Sequence, residues 1–243
     1  MNPNQALVIG ANGGIGQEVV KQLCASQSYE RVYSVARTQS TVVLNSQCHT
    51  ALNTADESAV EAFVDELKSQ SLTFSTVICC SGILHRSSEP SLNPEKRLED
   101  INTTQLSEYF MINSILPAIW LRNLPQVIDK SGATITLLSA RVGSISDNEL
   151  GGWYGYRASK AALNMLVKTA AVEYKRRLPN TTLICYHPGT VDTALSKPFQ
   201  ANVKPEKLFT TEFTVNRLLN LISSVDKETS PHYLDWDGKP ISW

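Results

Sequence analysis

The sequence predicts an α/β fold, a single doubly wound domain spanning residues 1–243 with a parallel sheet covered by helices on both faces. Three observations carry that prediction. Short β-rich runs alternate with helix-like segments almost throughout the chain. Those runs are apolar, as strands buried on both faces must be. A glycine-rich turn leads from the first run into the first helix, and nothing in the chain reads as an interdomain linker, repeat or low-complexity tract.

The elements follow in order. Ala6–Gly10, ALVIG, is the first strand, and GIGQEVVKQLCAS is a helix with Ile15, Val19, Val20 and Leu23 on one face. RVYSVA is the next strand. ESAVEAFVDELKS is a strongly amphipathic helix, with Asp56 placed to cap its free N–H groups. TVICC reads as a buried strand, followed by a polar loop from about Leu84 to Asp100. A long helix is expected from Thr104 towards Asp129, then the strand ATITLLS. The stretch GGWYGYRASKAALN opens a helix reaching Leu178, and TTLICYH is another strand. A helix over Thr211–Ser224 and a short strand, PHYL, complete the series. Crossovers between parallel strands are expected to be right-handed.

Bulk properties narrow the function. A net charge of −1 supplies no global attraction for nucleic acid or an anionic membrane. No apolar run approaches the ~18 residues that suggest a membrane span, and MNPNQALVIG lacks the pattern of a secretory signal. Cys24, Cys48, Cys79, Cys80 and Cys185 are odd in number and lack metal-type spacing. Cys79 and Cys80 sit in an apolar run, as small core residues of a reducing compartment do. A soluble cytoplasmic protein without a metal centre is expected.

In LVIGANGGIGQEVV, Gly10, Gly14 and Gly16 lie between the first strand and the first helix. Glycine lets the backbone approach a pyrophosphate, and the helix N-terminus offers N–H groups and a positive dipole end. Plain tight turns also use glycine, but this one has the strand–turn–helix context that nucleotide binding requires. Asn12 and Ile15 fall inside the same candidate cradle. The second strand should end near the adenosine ribose, about 20 residues on. There the chain has Ala36, Arg37 and Thr38, with no carboxylate to bond both ribose hydroxyls. Arg37 is suited to clamp a 2′-phosphate, so NADP(H) is favoured over NAD(H); otherwise Arg37 is a solvated loop arginine.

Tyr156 and Lys160 are four residues apart and share a helical face. A free phenol has a pKa of about 10; a nearby ammonium, with an oxidised nicotinamide, would lower it enough for acid–base work at a carbonyl. Tyr154 has Arg157 and Ala158 at the corresponding positions, and arginine is a poorer relay partner.

The spacing G-x-x-x-G-x-G and the Tyr-x-x-x-Lys pair together resemble the short-chain dehydrogenase/reductase family over nearly the whole chain. The resemblance implies a Rossmann-type, seven-stranded sheet, Tyr156 as acid/base and Lys160 holding the nicotinamide ribose. Asn113 matches the family's asparagine that holds a relay water. Pro117, four residues later, has no N–H for the Asn113 carbonyl, so a kink is expected there. The family's Ser-Ser-x-x-Gly becomes SARVG, which aligns Ser139 with the first serine and Ala140 with the second. Successive strand residues face opposite ways, so Ser139 serves only if a bulge turns it inward; Ser144 is the alternative. Cys79, Cys80, Ser81 and Gly82 replace the family's Asn-Asn-Ala-Gly, with Gly82 still beside the cofactor. Asn53 is the nearest match to the aspartate that touches adenine. In CYHPGTVDT, Pro188, Gly189, Val191 and Thr193 match the turn over the nicotinamide, with Thr193 bonding its carboxamide. Residues 190–212 resemble a mobile lid over the substrate. His187 is expected to be structural and His85 solvated.

GGWYGYRASKAALN, HPGTVDT and WDGKPISW are most similar to the sniffer-type carbonyl reductases and the C-factor-like proteins. The resemblance therefore implies an NADPH-dependent oxidoreductase acting on a small carbonyl or alcohol. Two alternatives stand beside it, an NADP(H)-binding signalling or regulatory protein with little turnover and, less well matched, a methyltransferase. Family members usually pair through their two long helices, so a homodimer or homotetramer is expected.

Overall fold

The computed structural model describes residues 4–40, 42 and 44–243; Met1–Pro3, in the stretch searched for a secretory signal, lie outside them. Seven parallel strands form one sheet: β1 (Gln5–Ile9), β2 (Arg31–Ala36), β3 (Gln47–Ala51), β4 (Thr76–Cys79), β5 (Ala133–Leu138), β6 (Thr181–His187) and β9 (His232–Asp235), in the order β3-β2-β1-β4-β5-β6-β9. The order reverses between β1 and β4, which is the signature of double winding and opens a crevice at their C-terminal ends. Two further short strands, β7 (Thr190–Val191) and β8 (Leu208–Phe209), pair with each other outside the sheet.

Strands β1, β4 and β5 are buried along their whole length. One face packs under α2 (Glu57–Ser69), α4 (Leu116–Asn123) and α5 (Tyr154–Arg177), around Phe63, Trp120, Leu163 and Tyr174. The other packs under α1 (Gly14–Ala25) and α6 (Thr211–Ser224), around Val19, Leu23, Tyr186 and Leu218. Both faces are therefore apolar, as a continuous apolar strand pattern requires. Asp56 caps α2 as expected, accepting from the N–H groups of Ser58 and Ala59 at 3.1 and 3.3 Å. No helix among the described residues is long and apolar enough to cross a membrane.

Three features depart from the sequence reading. Gln47–Ala51, QCHTA, is a strand; its half-exposed edge position leaves no apolar run to recognise. The helix expected over Thr104–Asp129 is α3 (Thr103–Phe110), a π-helical turn over Met111–Ile115, then α4, with a 3₁₀ turn at Leu124–Gln126. The expected irregularity around Asn113 therefore takes the form of one wide turn, in which the Leu116 N–H reaches back to the Met111 carbonyl. Finally, the segment 190–212, expected only as a lid, carries regular elements of its own. It holds the β7–β8 pair, 3₁₀ turns at Lys197–Asn202 and Pro205–Lys207, and the start of α6.

Candidate active site

The crevice between β1 and β4 begins with the glycine turn. The N–H groups of Gly10 and Ala11 are given to the Val35 carbonyl on β2 at 2.9 and 3.0 Å. A side chain at Gly16 would collide with the Gly10 carbonyl oxygen, so helix and turn touch through bare backbone. The first turn of α1 carries no acidic residue, and its N-cap, Gly13, offers no side-chain acceptor. An uncapped helix N-terminus behind a glycine cradle fits a pyrophosphate. Ile15 packs against the core on the α6 side. Asn12 does not reach into the cradle; its Nδ2 donates to the Thr38 carbonyl and hydroxyl at 2.9 and 2.8 Å, tying the turn to the loop after β2.

Arg37 stands exposed on that loop and makes no ion pair among the described residues. It is available to an anion at the ribose end. Asn53 is exposed and turns its Oδ1 to the Ala55 N–H of its own loop at 3.2 Å. Of Pro188, Gly189, Val191 and Thr193, it is Thr193 that meets the glycine turn: a side-chain carbon added at Gly14 would lie 2.7 Å from its methyl. Gly189 packs under the Phe209 ring, and Val191 is buried in the β7–β8 pair.

Tyr156 and Lys160 are both buried on α5. The Lys160 Nζ lies 5.9 Å from the centre of the Tyr156 ring and donates to the Leu138 carbonyl at 2.8 Å. Burial pulls the Lys160 ammonium down to about 8. Burial also pushes the Tyr156 phenol well above its ordinary value. In the protein without cofactor, desolvation sets the direction for the phenol, and the Lys160 ammonium is directed at the Leu138 carbonyl.

Asn113 is wholly buried in the π-helical turn. Its Oδ1 accepts from the Ile83 N–H at 2.8 Å, and its Nδ2 donates to the Ile83 carbonyl at 3.0 Å and to Ser159 Oγ at 3.1 Å. Ser159 in turn donates to the Tyr156 carbonyl at 2.8 Å. The asparagine therefore joins the loop after β4 to the helix of Tyr156. Gly82 completes this corner, since a side-chain carbon there would lie 3.5 Å from both Asn113 Oδ1 and Lys160 Nζ.

Ser139 is buried. Its Oγ donates to Asn164 Oδ1 at 2.7 Å, and it is Ala140 that joins the apolar cluster of Tyr156 with Leu84, Leu92 and Tyr109. Ser139 follows the last residue of β5, Leu138, and its hydroxyl is held by the Asn164 amide of α5. Ser144 is also spent, accepting from the Asp147 N–H at 3.2 Å inside its own loop.

Sequence reasoning missed the aromatic wall. Trp153 meets Tyr156 edge-on with ring centres 6.1 Å apart, and Phe199 meets Trp153 at 5.1 Å. His85 is not simply solvated; it bonds the Ala194 carbonyl at 2.9 Å and stands against Phe199 at 5.7 Å. Tyr154 is half-buried, and Arg157 folds back onto the Gly151 and Gly152 carbonyls rather than towards either tyrosine. Spacing along the chain carries no signal for Phe199, which reaches the wall only through the fold.

Residues 4–204 match the family model described as short chain dehydrogenase. The 1-hydroxy-2-glutathionyl-2-methyl-3-butene dehydrogenase of Rhodococcus sp. (strain AD45) is 24% identical, over 98% of each chain. Two solved structures share the fold: the carbonyl reductase Sniffer of D. melanogaster, at 19% identity and TM-score 0.85, and an NADPH-bound carbonyl reductase from chicken fatty liver, at 22% and 0.81. Each covers 100% of both chains.

Proposed function

The chain belongs to the short-chain dehydrogenase/reductase family, and from that premise we propose that it is an NADPH-dependent oxidoreductase acting on a small carbonyl or alcohol. The observation that supports this best is a buried tyrosine, Tyr156, one turn ahead of a buried lysine, Lys160, on a helix that Asn113 ties to the cofactor crevice. NADPH, when bound, supplies the hydride and, once oxidised, a positive ring.

The glycine turn with the α1 N-terminus would hold the pyrophosphate, and Arg37 the 2′-phosphate. Lys160 would hold the nicotinamide ribose, and Thr193 the carboxamide. Tyr156 would give its proton to the substrate oxygen during reduction and take it back during oxidation. Its phenol starts high because it is buried; a cation brought into that pocket is what would bring it into range. Lys160, held near neutral by burial, can pass a proton without a large barrier. The Trp153–Phe199 wall suits an apolar substrate flank.

Purified protein is expected to oxidise NADPH, in preference to NADH, with an aldehyde, ketone or quinone. Tyr156→Phe should lower kcat by about 10²–10⁴-fold while leaving NADPH affinity near wild type. A variant with an unchanged rate would sink the role of Tyr156. Tight NADPH binding without turnover across a broad carbonyl panel would instead favour a regulatory protein.

A further inference from the structure

The first turn of α5 is held from outside its own segment. Its N-cap, Trp153, has φ of +53° and offers no side-chain acceptor to the turn's free N–H groups. Glu95, in the loop between β4 and α3, supplies two acceptors. Its main-chain carbonyl accepts from the Trp153 N–H at 2.5 Å, and its Oε2 accepts from the Gly155 N–H at 3.1 Å. Glu95 is only 1% exposed, and its Oε1 meets no donor among the described residues.

A carboxylate buried with so few donors is costly. The positive end of a 24-residue helix is a place where such a charge is best tolerated. The surroundings are fitted to it. A side-chain carbon at Gly155 would collide with the Tyr109 ring and lie 2.8 Å from Glu95 Oε1. Tyr109 itself is fixed by its hydroxyl, which donates to the Leu84 carbonyl at 2.7 Å, and its ring stands edge-on to Tyr156 at 6.3 Å. Glu95, Gly155, Tyr109 and Tyr156 thus form one packed block.

We propose that Glu95 is a positioning residue for Tyr156: its carboxylate fixes the helical turn that carries the phenol, through Gly155 and against Tyr109. The proposal rests on the reading of Tyr156 as the proton donor. A plain helix cap would contribute to stability and leave the rate of the bound complex alone. A positioning clamp shows in kcat, because a displacement of about 1 Å at a reacting group costs on the order of 10²-fold.

The test compares Glu95→Ala and Glu95→Gln with wild type, by steady-state kinetics, NADPH binding, thermal unfolding and amide hydrogen exchange at residues 153–157. Glu95→Ala is expected to lower kcat by on the order of 10²-fold, with substrate KM and NADPH Kd within about twofold. Glu95→Gln keeps an oxygen for the Gly155 N–H and should recover part of the loss. Exchange at Gly155 and Tyr156 should be faster in the alanine variant. Wild-type kcat in both variants overturns the proposal, and so does a loss of kcat that merely follows loss of folded protein. If Glu95→Ala does not fold, Glu95→Gln decides: a lowered kcat with normal NADPH binding supports the clamp, and a normal kcat overturns it. If wild type itself shows no turnover, the reading of Tyr156 fails. Exchange then judges the clamp alone, with unchanged rates at Gly155 and Tyr156 overturning it and faster ones supporting it.

Discussion

Ala140 places a methyl group in the cluster that holds Tyr156, while Ser139 turns its hydroxyl to Asn164. Tyr109, the other hydroxyl of that cluster, is committed to the Leu84 carbonyl. Of the two tyrosine hydroxyls of the cluster, the Tyr156 phenol is the one left to meet negative charge developing on a substrate oxygen. A second aimed donor is worth about 2.7–4 kcal/mol where it has been removed from other enzymes. Ala140→Ser is accordingly expected to raise kcat on an unactivated ketone by about tenfold or more, and to matter less for an electron-poor carbonyl that needs less help. The ratio of the two gains is the measurement. Equal or absent gains would show that position 140 does not face the reacting oxygen.

Among the elements, the α1 N-terminus and the π-helical turn decide most. Gly16 lies inside a helix, where alanine would ordinarily gain about 1 kcal/mol in propensity. Here its side chain would strike the Gly10 carbonyl, a backbone atom with little room to move. Gly16→Ala is therefore expected to destabilise by about 1–3 kcal/mol and to weaken NADPH binding, measured by thermal unfolding and fluorescence titration. Gly13→Ala is the control, since its nearest neighbour would be at an ordinary 3.5 Å; equal effects at both positions would refute the argument. The π-helical turn was partly legible. Pro117 marks where the helical ladder fails, but the side-chain clamp of Asn113 on Ile83 depends on a loop thirty residues away.

For the whole molecule, acid stability should carry the signature of His187. Burial and the nearby Arg141 guanidinium hold this histidine down to about 4, and its Nδ1 has no hydrogen-bond partner among the described residues. Unfolded, it titrates near 6.5. The unfolded chain therefore binds the extra proton between those values, so this contribution is full above about pH 6.5 and is lost as pH falls towards about 4. Asp56, Asp100, Asp226 and Asp237 are held below their ordinary 3.8 and act in a lower window. His187→Gln is expected to flatten stability against pH between about 4 and 6.5, as read from urea midpoints. An equally steep dependence would remove His187 as its source.

By itself the sequence determined what repeats locally: apolar strands, amphipathic helices, the Asp56 cap, the glycine turn and the i,i+4 pairing of Tyr156 with Lys160. These depend on side-chain period and on neighbours within a turn or two, so they can be read along a line. Only the tertiary structure decided what faces what. It gave position 140 rather than 139 to the Tyr156 cluster, spent Asn12 on the neighbouring loop, and built the wall of Trp153 and Phe199. It also brought Glu95 from sixty residues away to the helix of Tyr156. The reason is physical: backbone direction at a strand end and the cost of burying charge are settled by packing between segments, and their spacing along the chain records neither.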